Sequence, residues 1–262
     1  SMSPADSPWH ILRTQAERAV QAEPVLSGTF REAILDQPDF AFALAHRVSQ
    51  ALADSEEQQA VLFDRFSSIH QQFPALAESA WCDLQAIVSR DPAFGTGLEV
   101  LLFSKGFLAL QAYRIGHQLL LQDERLLAMF IQARCNERLA VDINPASRIG
   151  SGIMLDHATG IVIGETAAVG DDVSILQGVT LGGTGKESGD RHPKVRSGVM
   201  IGAGAKILGN IEIGEGAKVG AGSVVLQAVA PHTTVVGNPA RQVGKPRHAR
   251  PALDMDQSFD EG

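Results

Sequence analysis

The chain has 262 residues, of which 44% are hydrophobic and 20% charged, with a formal net charge of -8 and two cysteines. An acid-leaning chain of this kind offers no basic surface for nucleic acid, and two cysteines make neither a disulfide framework nor a thiolate metal cluster. No apolar run approaches the roughly 18 uncharged residues of a membrane span, and no basic region with an apolar core opens the sequence, so a cytoplasmic location is expected.

From Trp9 to about Ala140 apolar residues recur at three- and four-residue spacing, with boundaries at Pro24, Pro38, Pro74 and Pro92. Phe40, Leu44 and Val48 form one such stripe. Asp36 ahead of Pro38, and Asp54 with Glu57 three residues on, read as helix starts. The longest helices are expected over Leu98 to Leu121 and Glu124 to Leu139, with Gly106 and Gly116 marking a close contact or a break in the first. Asn144-Pro145 closes the helical region. Cys82 and Cys135 both lie in it and read as free thiols, with an acyl-enzyme on either as a minor alternative.

From Ile143 to about Ala230 an apolar residue returns every six positions: Ile143, Ile149, Leu155, Ile161, Ala167, Val173 and Val179, then Val195, Ile201, Ile207, Ile213, Val219 and Val225. Six is even, so these side chains share one face of extended segments. Glycine recurs three places after the anchor, as at Gly152, Gly164, Gly170, Gly204 and Gly222. Recurring glycines mark recurring bends, and three short sides per turn make a triangular coil whose strands stack in parallel. Glu165, Asp171 and Gln177 fall on the interior phase four places after an anchor, so a local corner distortion is expected there. The expected class is α+β, with a helical domain over residues 1–141 that caps the coil and assembles subunits. A parallel β-helix over 142–241 carries an inserted loop at 184–194, and a mobile polar tail fills 242–262.

A coil is a scaffold, so chemistry must be sought where its regularity breaks. His157 falls two places after an anchor and outside the interior phase, with Asp156 beside it. Asp142 precedes His157 by fifteen residues, near the spot one coil below it, which suits a carboxylate-histidine general base; solvated surface residues are the alternative. The loop Thr184-Gly-Lys-Glu-Ser-Gly-Asp-Arg-His-Pro-Lys194 delays the next anchor and sets Arg191 beside His192. Arginine grips carboxylates in bidentate fashion, although a solvated basic loop is an equal reading of the loop alone.

Several runs together resemble bacterial serine acetyltransferases. These are Asp-Ile-Asn-Pro-Ala at 142 to 146, Gly-Ile-Met-Leu-Asp-His-Ala-Thr-Gly at 152 to 160, Val-Thr-Leu-Gly-Gly-Thr-Gly-Lys at 179 to 186, and Asp-Arg-His-Pro-Lys at 190 to 194. Gly-Ala-Gly-Ala-Lys-Ile-Leu-Gly-Asn at 202 to 210 and Lys-Gly-Phe-Leu-Ala-Leu-Gln-Ala-Tyr-Arg-Ile-Gly-His at 105 to 117 extend the likeness over nearly the whole chain. The resemblance implies a left-handed coil and transfer of acetyl from acetyl-CoA to the hydroxyl of L-serine, without a metal, towards cysteine. It makes His157 the general base, oriented by Asp142. Asp91 and Asp156 would take the serine ammonium, and Arg191 and His192 its carboxylate. Gly183, Thr184, Ala203, Lys218 and Ala221 match the acetyl-CoA groove, with Arg241 and Lys245 towards its phosphates.

The resemblance also implies a homotrimer whose sites lie between subunits, a dimer of trimers through the helical domains, and inhibition by L-cysteine. Members often insert a C-terminal isoleucine into O-acetylserine sulfhydrylase; this sequence reads Asp-Glu-Gly262 and departs from that pattern. Three rivals stand beside this reading. An acetyltransferase for a sugar or another hydroxy amino acid would keep His157, and a trimeric scaffold would keep only the coil. A zinc hydratase on the same coil would need three converging histidines, which the spacing does not offer.

Overall fold

The structure is a computed structural model in which residues 7–258 are described. Helices fill the first half: α1 (Pro8–Ala22), α2 (Ser27–Phe30) running into a π-turn at Arg31–Leu35, α3 (Phe40–Leu52), α4 (Glu56–Gln72), α5 (Ala75–Arg90), α6 (Gly97–Phe103), α7 (Lys105–Leu121) and α8 (Arg125–Leu139). Ser7, Asp39, Ser55, Thr96 and Ser104 start α1, α3, α4, α6 and α7 by accepting otherwise unpaired backbone N–H groups. Two expected starts shift accordingly. Asp39, not Asp36, caps α3, accepting from Phe42 N at 2.9 Å, while Asp36 ends the π-turn. Ser55, not Asp54, caps α4 through Gln58 N at 3.1 Å, which leaves the Asp54 carboxylate to pair with Arg134 and Arg138.

The expected helix over Leu98 to Leu121 is two helices. Ser104 is extended (φ -84, ψ 105) and caps α7 through Phe107 N at 3.2 Å. Gly106, two residues later, is the close contact: a Cβ there would lie 2.2 Å from the Leu155 carbonyl oxygen. This missing side chain lets α7 rest directly on the coil, where Ala109, Leu110 and Tyr113 join its core. A buried pair strengthens the junction. Arg114 grips Asp83 at 2.9 Å and donates to the Gly150 carbonyl at 2.7 Å, and Asp83 accepts from Ile153 N at 3.0 Å.

At Ala140 the backbone turns left-handed (φ 54) and the coil begins. Its first face stacks β1 (Val141–Ile143), β4 (Ile161–Ile163), β7 (Thr180–Gly182), β10 (Lys206–Leu208) and β13 (Val224–Val225). The second stacks β2 (Arg148–Ile149), β5 (Ala168–Val169), β8 (Lys194–Val195) and β11 (Glu212–Ile213). The third stacks β3 (Met154–Asp156), β6 (Ser174–Leu176), β9 (Met200–Ile201), β12 (Lys218–Val219) and β14 (Thr234–Gly237), closed by an antiparallel β15 (Ala240–Gly244). The remaining pairs are parallel, and the coil is left-handed.

The strand register corrects the interior count. Leu155 pairs with Ile175, twenty residues on, whereas Val195 pairs with Ile213, eighteen on. Two extra residues enter the first coil between Leu155 and Ile163, and the stacked anchors from there are Ile163, Val169, Ile175 and Leu181. Glu165, Asp171 and Gln177 then fall two places after an anchor and face outward, with Glu165 and Asp171 exposed, so no corner distortion exists at those positions. Backbone angles agree with the new count: Gly152, Gly178, Gly198, Gly204 and Gly222 have φ between 69° and 76°, and Gly164 and Gly170 do not share the left-handed geometry.

After β15 the chain runs back along the third face. Its short helix α9 (Pro251–Asp254) buries Pro251 and Ala252, and Ala252 N donates to Gly198 O at 3.2 Å. The tail is therefore seated over 251–258 in this structure. The sequence after Ser258, which bears on the sulfhydrylase handle, lies outside the described residues.

Candidate active site

The two-residue insertion forms the site. It places His157 (φ 57) and Ala158 (φ 67) in left-handed backbone at the corner between the third and first faces, a conformation that costs a non-glycine residue energy. Ala158 N turns back to Asp156 O at 2.6 Å and Gly160 N reaches Ala140 O at 2.7 Å, so backbone bonds hold the bulge. The His157 side chain is 74% exposed, and its Nε2 lies 3.8 Å from Asp156 Oδ1.

Asp91, at the end of α5, faces the same corner. It accepts from Ala93 N at 2.9 Å, which fixes its carboxylate. Asp91, Asp156 and His157 line one cleft of about 270 Å³, together with Phe94, Phe103, Ser104 and Lys105. Burial and the facing charge of Asp91 push the Asp156 carboxyl above its ordinary value, against the opposing pull of His157. Two carboxylates sharing a half-buried cleft favour a cation between them.

Arg191 and His192 sit at the other edge of the first face, on the loop between β7 and β8. Thr166 organises both: its hydroxyl oxygen accepts from Arg191 N at 3.0 Å and His192 N at 3.1 Å, and it lies 2.7 Å from His192 Nδ1. Thr166 N also donates to that Nδ1 at 3.1 Å, which assigns the imidazole proton to Nε2. Burial, helped by the charges of Arg191 and Lys194, lowers the pKa of His192, so at neutral pH it is an uncharged Nε2–H donor. Gly164 makes room for it, since a Cβ there would lie 2.1 Å from the ring. Arg191 is held at 2.9 Å by Glu165. Thr166, Glu165 and Gly164 were missed in the sequence, where Gly164 passed for one more corner glycine; the off-phase Glu165-Thr166 pair was the available signal.

Asp142 lies on β1 and accepts from Gln132 Nε2 at 2.8 Å; it makes no hydrogen bond or ion pair with His157 in this conformation. Ala203 and Ala221 follow β9 and β12 at the His157 edge, whereas Gly183 and Thr184 follow β7 at the Arg191 edge. Lys218 is buried beneath the tail and donates to Ser258 O. Arg241 lies on β15 and Lys245 just beyond it, both exposed.

Neither cysteine enters the cleft. Burial pushes the Cys135 thiol up to about 12, and burial with the neighbouring Asp83 charge raises Cys82, so both are poor nucleophiles at neutral pH.

The acidic, histidine-bearing cleft and the Arg191-His192 loop thus stand on opposite edges of one face. Three residues of strand span roughly 10 Å at the usual rise, too far for one small molecule to touch both.

Known proteins share this arrangement of domains. A model described as serine acetyltransferase, N-terminal, matches residues 9–112, and one for bacterial transferase hexapeptide repeats matches residues 192–227. The serine acetyltransferase of Salmonella typhimurium is 53% identical over 251 residues, covering 96% of this chain and 92% of that protein. The crystal structure of serine acetyltransferase from Vibrio cholerae superposes with a TM-score of 0.94 at 52% identity, covering 96% of this chain and 97% of that one. Two ligand-bound structures are also similar. One is a serine acetyltransferase in complex with cysteine (TM-score 0.93, 49% identity, 96% and 98% covered), the other the Brucella abortus enzyme in complex with coenzyme A (0.89, 46%, 93% and 96%). Matched at about half identity over nearly its full length, the chain belongs to the serine acetyltransferase family.

Proposed function

We propose that the protein transfers acetyl from acetyl-CoA to the hydroxyl of L-serine, giving O-acetylserine and CoA. The observation that carries this reading is the convergence of Asp91, Asp156 and His157 on one cleft. The paired carboxylates take the ammonium of the amino acid, which sets its hydroxyl towards the exposed imidazole. His157 removes the hydroxyl proton as the oxygen attacks the thioester carbonyl. The tetrahedral adduct collapses with loss of the CoA thiolate, which receives that proton from the imidazolium. Such a base contributes about 10² to 10⁴ in rate, and holding two substrates together supplies much of the rest. Asp142 lies two residues beyond Ala140, whose carbonyl anchors the bulge, and orients the ring once His157 turns inward.

The carboxylate of the amino acid requires the basic half, and a second copy supplies it. In a three-fold assembly the His157 edge of one subunit meets the Arg191 edge of the next, so Arg191 and the Nε2–H of His192 meet the substrate carboxylate. The exposed apolar side chains Val162 (37%) and Leu226 (51%) lie on or beside the first face and suit such an interface. CoA would lie in the same groove, between Ala203 and Ala221 on one side and Gly183 and Thr184 on the other, with Arg241 and Lys245 towards its upper end and Lys218 reached only when the tail segment over it moves aside. The coenzyme A complex of the Brucella abortus relative supports the co-substrate. L-Cysteine presents the same ammonium and carboxylate, and the cysteine-bound relative supports its action as an inhibitor of this site. Pairing of trimers through the helical domains and the cytoplasmic location belong to the same reading.

Thiol release from acetyl-CoA with and without L-serine tests it. Serine-dependent release is expected; its absence refutes the reading, and equal release with homoserine or a sugar favours the broader acetyltransferase. His157→Ala should lose most turnover at unchanged oligomer mass, and near-normal turnover would remove His157 as the base.

A further inference from the structure

Arg90 is the last residue of α5 and the neighbour of Asp91, yet it takes no part in the cleft. Its side chain is only 3% exposed, and its Nε has no partner. The guanidinium is held at two points on the coil: Nη1 donates to Ser174 Oγ at 3.2 Å and Nη2 to Asp172 Oδ1 at 3.4 Å. Both of these residues also hold the C-terminal segment. Ser174 Oγ gives its single proton to the Ala252 carbonyl at 2.9 Å, and Arg250 Nη1 reaches the other oxygen of Asp172 at 3.4 Å. Ser174 and Ala252 are fully buried, so the seated segment keeps water from the contact between Arg90 and Ser174, whereas the Asp172 side chain stays 37% exposed.

We propose that Arg90 is a positioning residue for Asp91, and that the docked segment around Ala252, by closing over Ser174 and Asp172, sets how firmly the protein holds its amino-acid substrate. The inference rests on the reading of Asp91 as a ligand of the substrate ammonium. The physical chain is short. A buried guanidinium fork bound to two fixed acceptors, Ser174 out of water and Asp172 partly exposed, holds the last turn of α5 rigid, and charge-assisted bonds weaken as solvent gains access to them. With the segment lifted, Ser174 loses its acceptor, Asp172 loses one cation and Arg90 is hydrated. The turn that carries Asp91 and accepts from Ala93 N then samples other positions. Substrate affinity falls through lost preorganisation, with no contact between the segment and the substrate.

Full-length Arg90→Met and Ala252→Glu, the latter to lift the segment sterically, test this against Arg90→Lys and Asp91→Asn. Arg90→Met should raise the KM for serine by about tenfold while kcat at saturating serine stays within about twofold, and Arg90→Lys should recover part of the loss. Ala252→Glu should raise the same KM, and the Arg90→Met, Ala252→Glu double variant should show less than the product of the two effects. Amide exchange over residues 87–93 should speed up in Ala252→Glu. Unchanged exchange there, or multiplicative effects in the double variant, overturns the coupling. An unchanged serine KM in Asp91→Asn overturns instead the reading of Asp91. Should Arg90→Met fail to fold, Arg90→Lys and Ala252→Glu carry the same comparison.

Discussion

Replacing Thr166 by valine isolates the basic half of the site. The exchange keeps the branched shape and removes only the hydroxyl, which accepts from Arg191 N and His192 N and meets His192 Nδ1. His192 is 7% exposed, so its ring has little access to water as a substitute partner. Each such bond is worth about 1 kcal/mol net, and a buried group left unpaired costs more, so the ordered loop should lose about 2 to 3 kcal/mol relative to mobile alternatives. At about 1.4 kcal/mol per tenfold, the KM for serine should rise roughly 30- to 100-fold if the loop must be ordered to bind the carboxylate. The KM for acetyl-CoA and kcat at saturating serine should change far less. Initial rates of thiol release over a serine titration read all three. A serine KM within about twofold of the parent would refute the assignment of Thr166 as the organiser of Arg191 and His192.

Gly164→Ala should damage the same half by a different route, since its Cβ would lie 2.1 Å from the His192 ring and the ring must leave its place; serine KM should rise by at least about tenfold, and an unchanged value would show that the ring position is unimportant. His70 carries a pH prediction. It is buried with both ring nitrogens unpartnered, and burial lowers its pKa from 6.5 to about 4. The unfolded chain therefore binds its proton first as pH falls, so this contribution is intact above pH 6.5 and is lost as pH drops through about 4. A shift of this size corresponds to about 3 kcal/mol. Urea unfolding at fixed protein concentration should show a shallower acid loss of stability in His70→Leu than in the parent, and parallel pH profiles would refute the buried, unpaired state.

The sequence was enough to establish the kind of fold. A period of six with recurring glycines requires stacked short strands, and the motif at Leu155 to Gly160 together with the Arg191-His192 loop marked the residues on which chemistry depends. The stacking itself was not legible, for a definite reason. The insertion at the His157 corner is two residues long, and an even shift leaves the inward and outward alternation intact, so Ile161, Ala167, Val173 and Val179 are buried in either count. Only the pairing of Leu155 with Ile175 reveals which residues stand above one another, and with it why Glu165 and Asp171 face outward. Helix starts were similarly ambiguous between Asp36 and Asp39, which are the same residue type and differ only in which hydrogen bonds the backbone makes, whereas Ser55 with Gln58 three residues on is a capping-box pattern in its own right.

The family resemblance grouped Asp91 with Asp156, but only the tertiary structure gave the physical reason across more than sixty positions of sequence: α5 ends where α7 presses Gly106 onto the Leu155 carbonyl. It also separated what the sequence presented as one set: His157 and His192 stand on opposite edges of a face. Local pattern determined which residues bend, bury and cap, since those preferences act over a few bonds. The number of residues per turn of the coil, the meeting of helix and corner, and the division of the site between two edges depend on contacts between distant segments, which only the folded chain brings together.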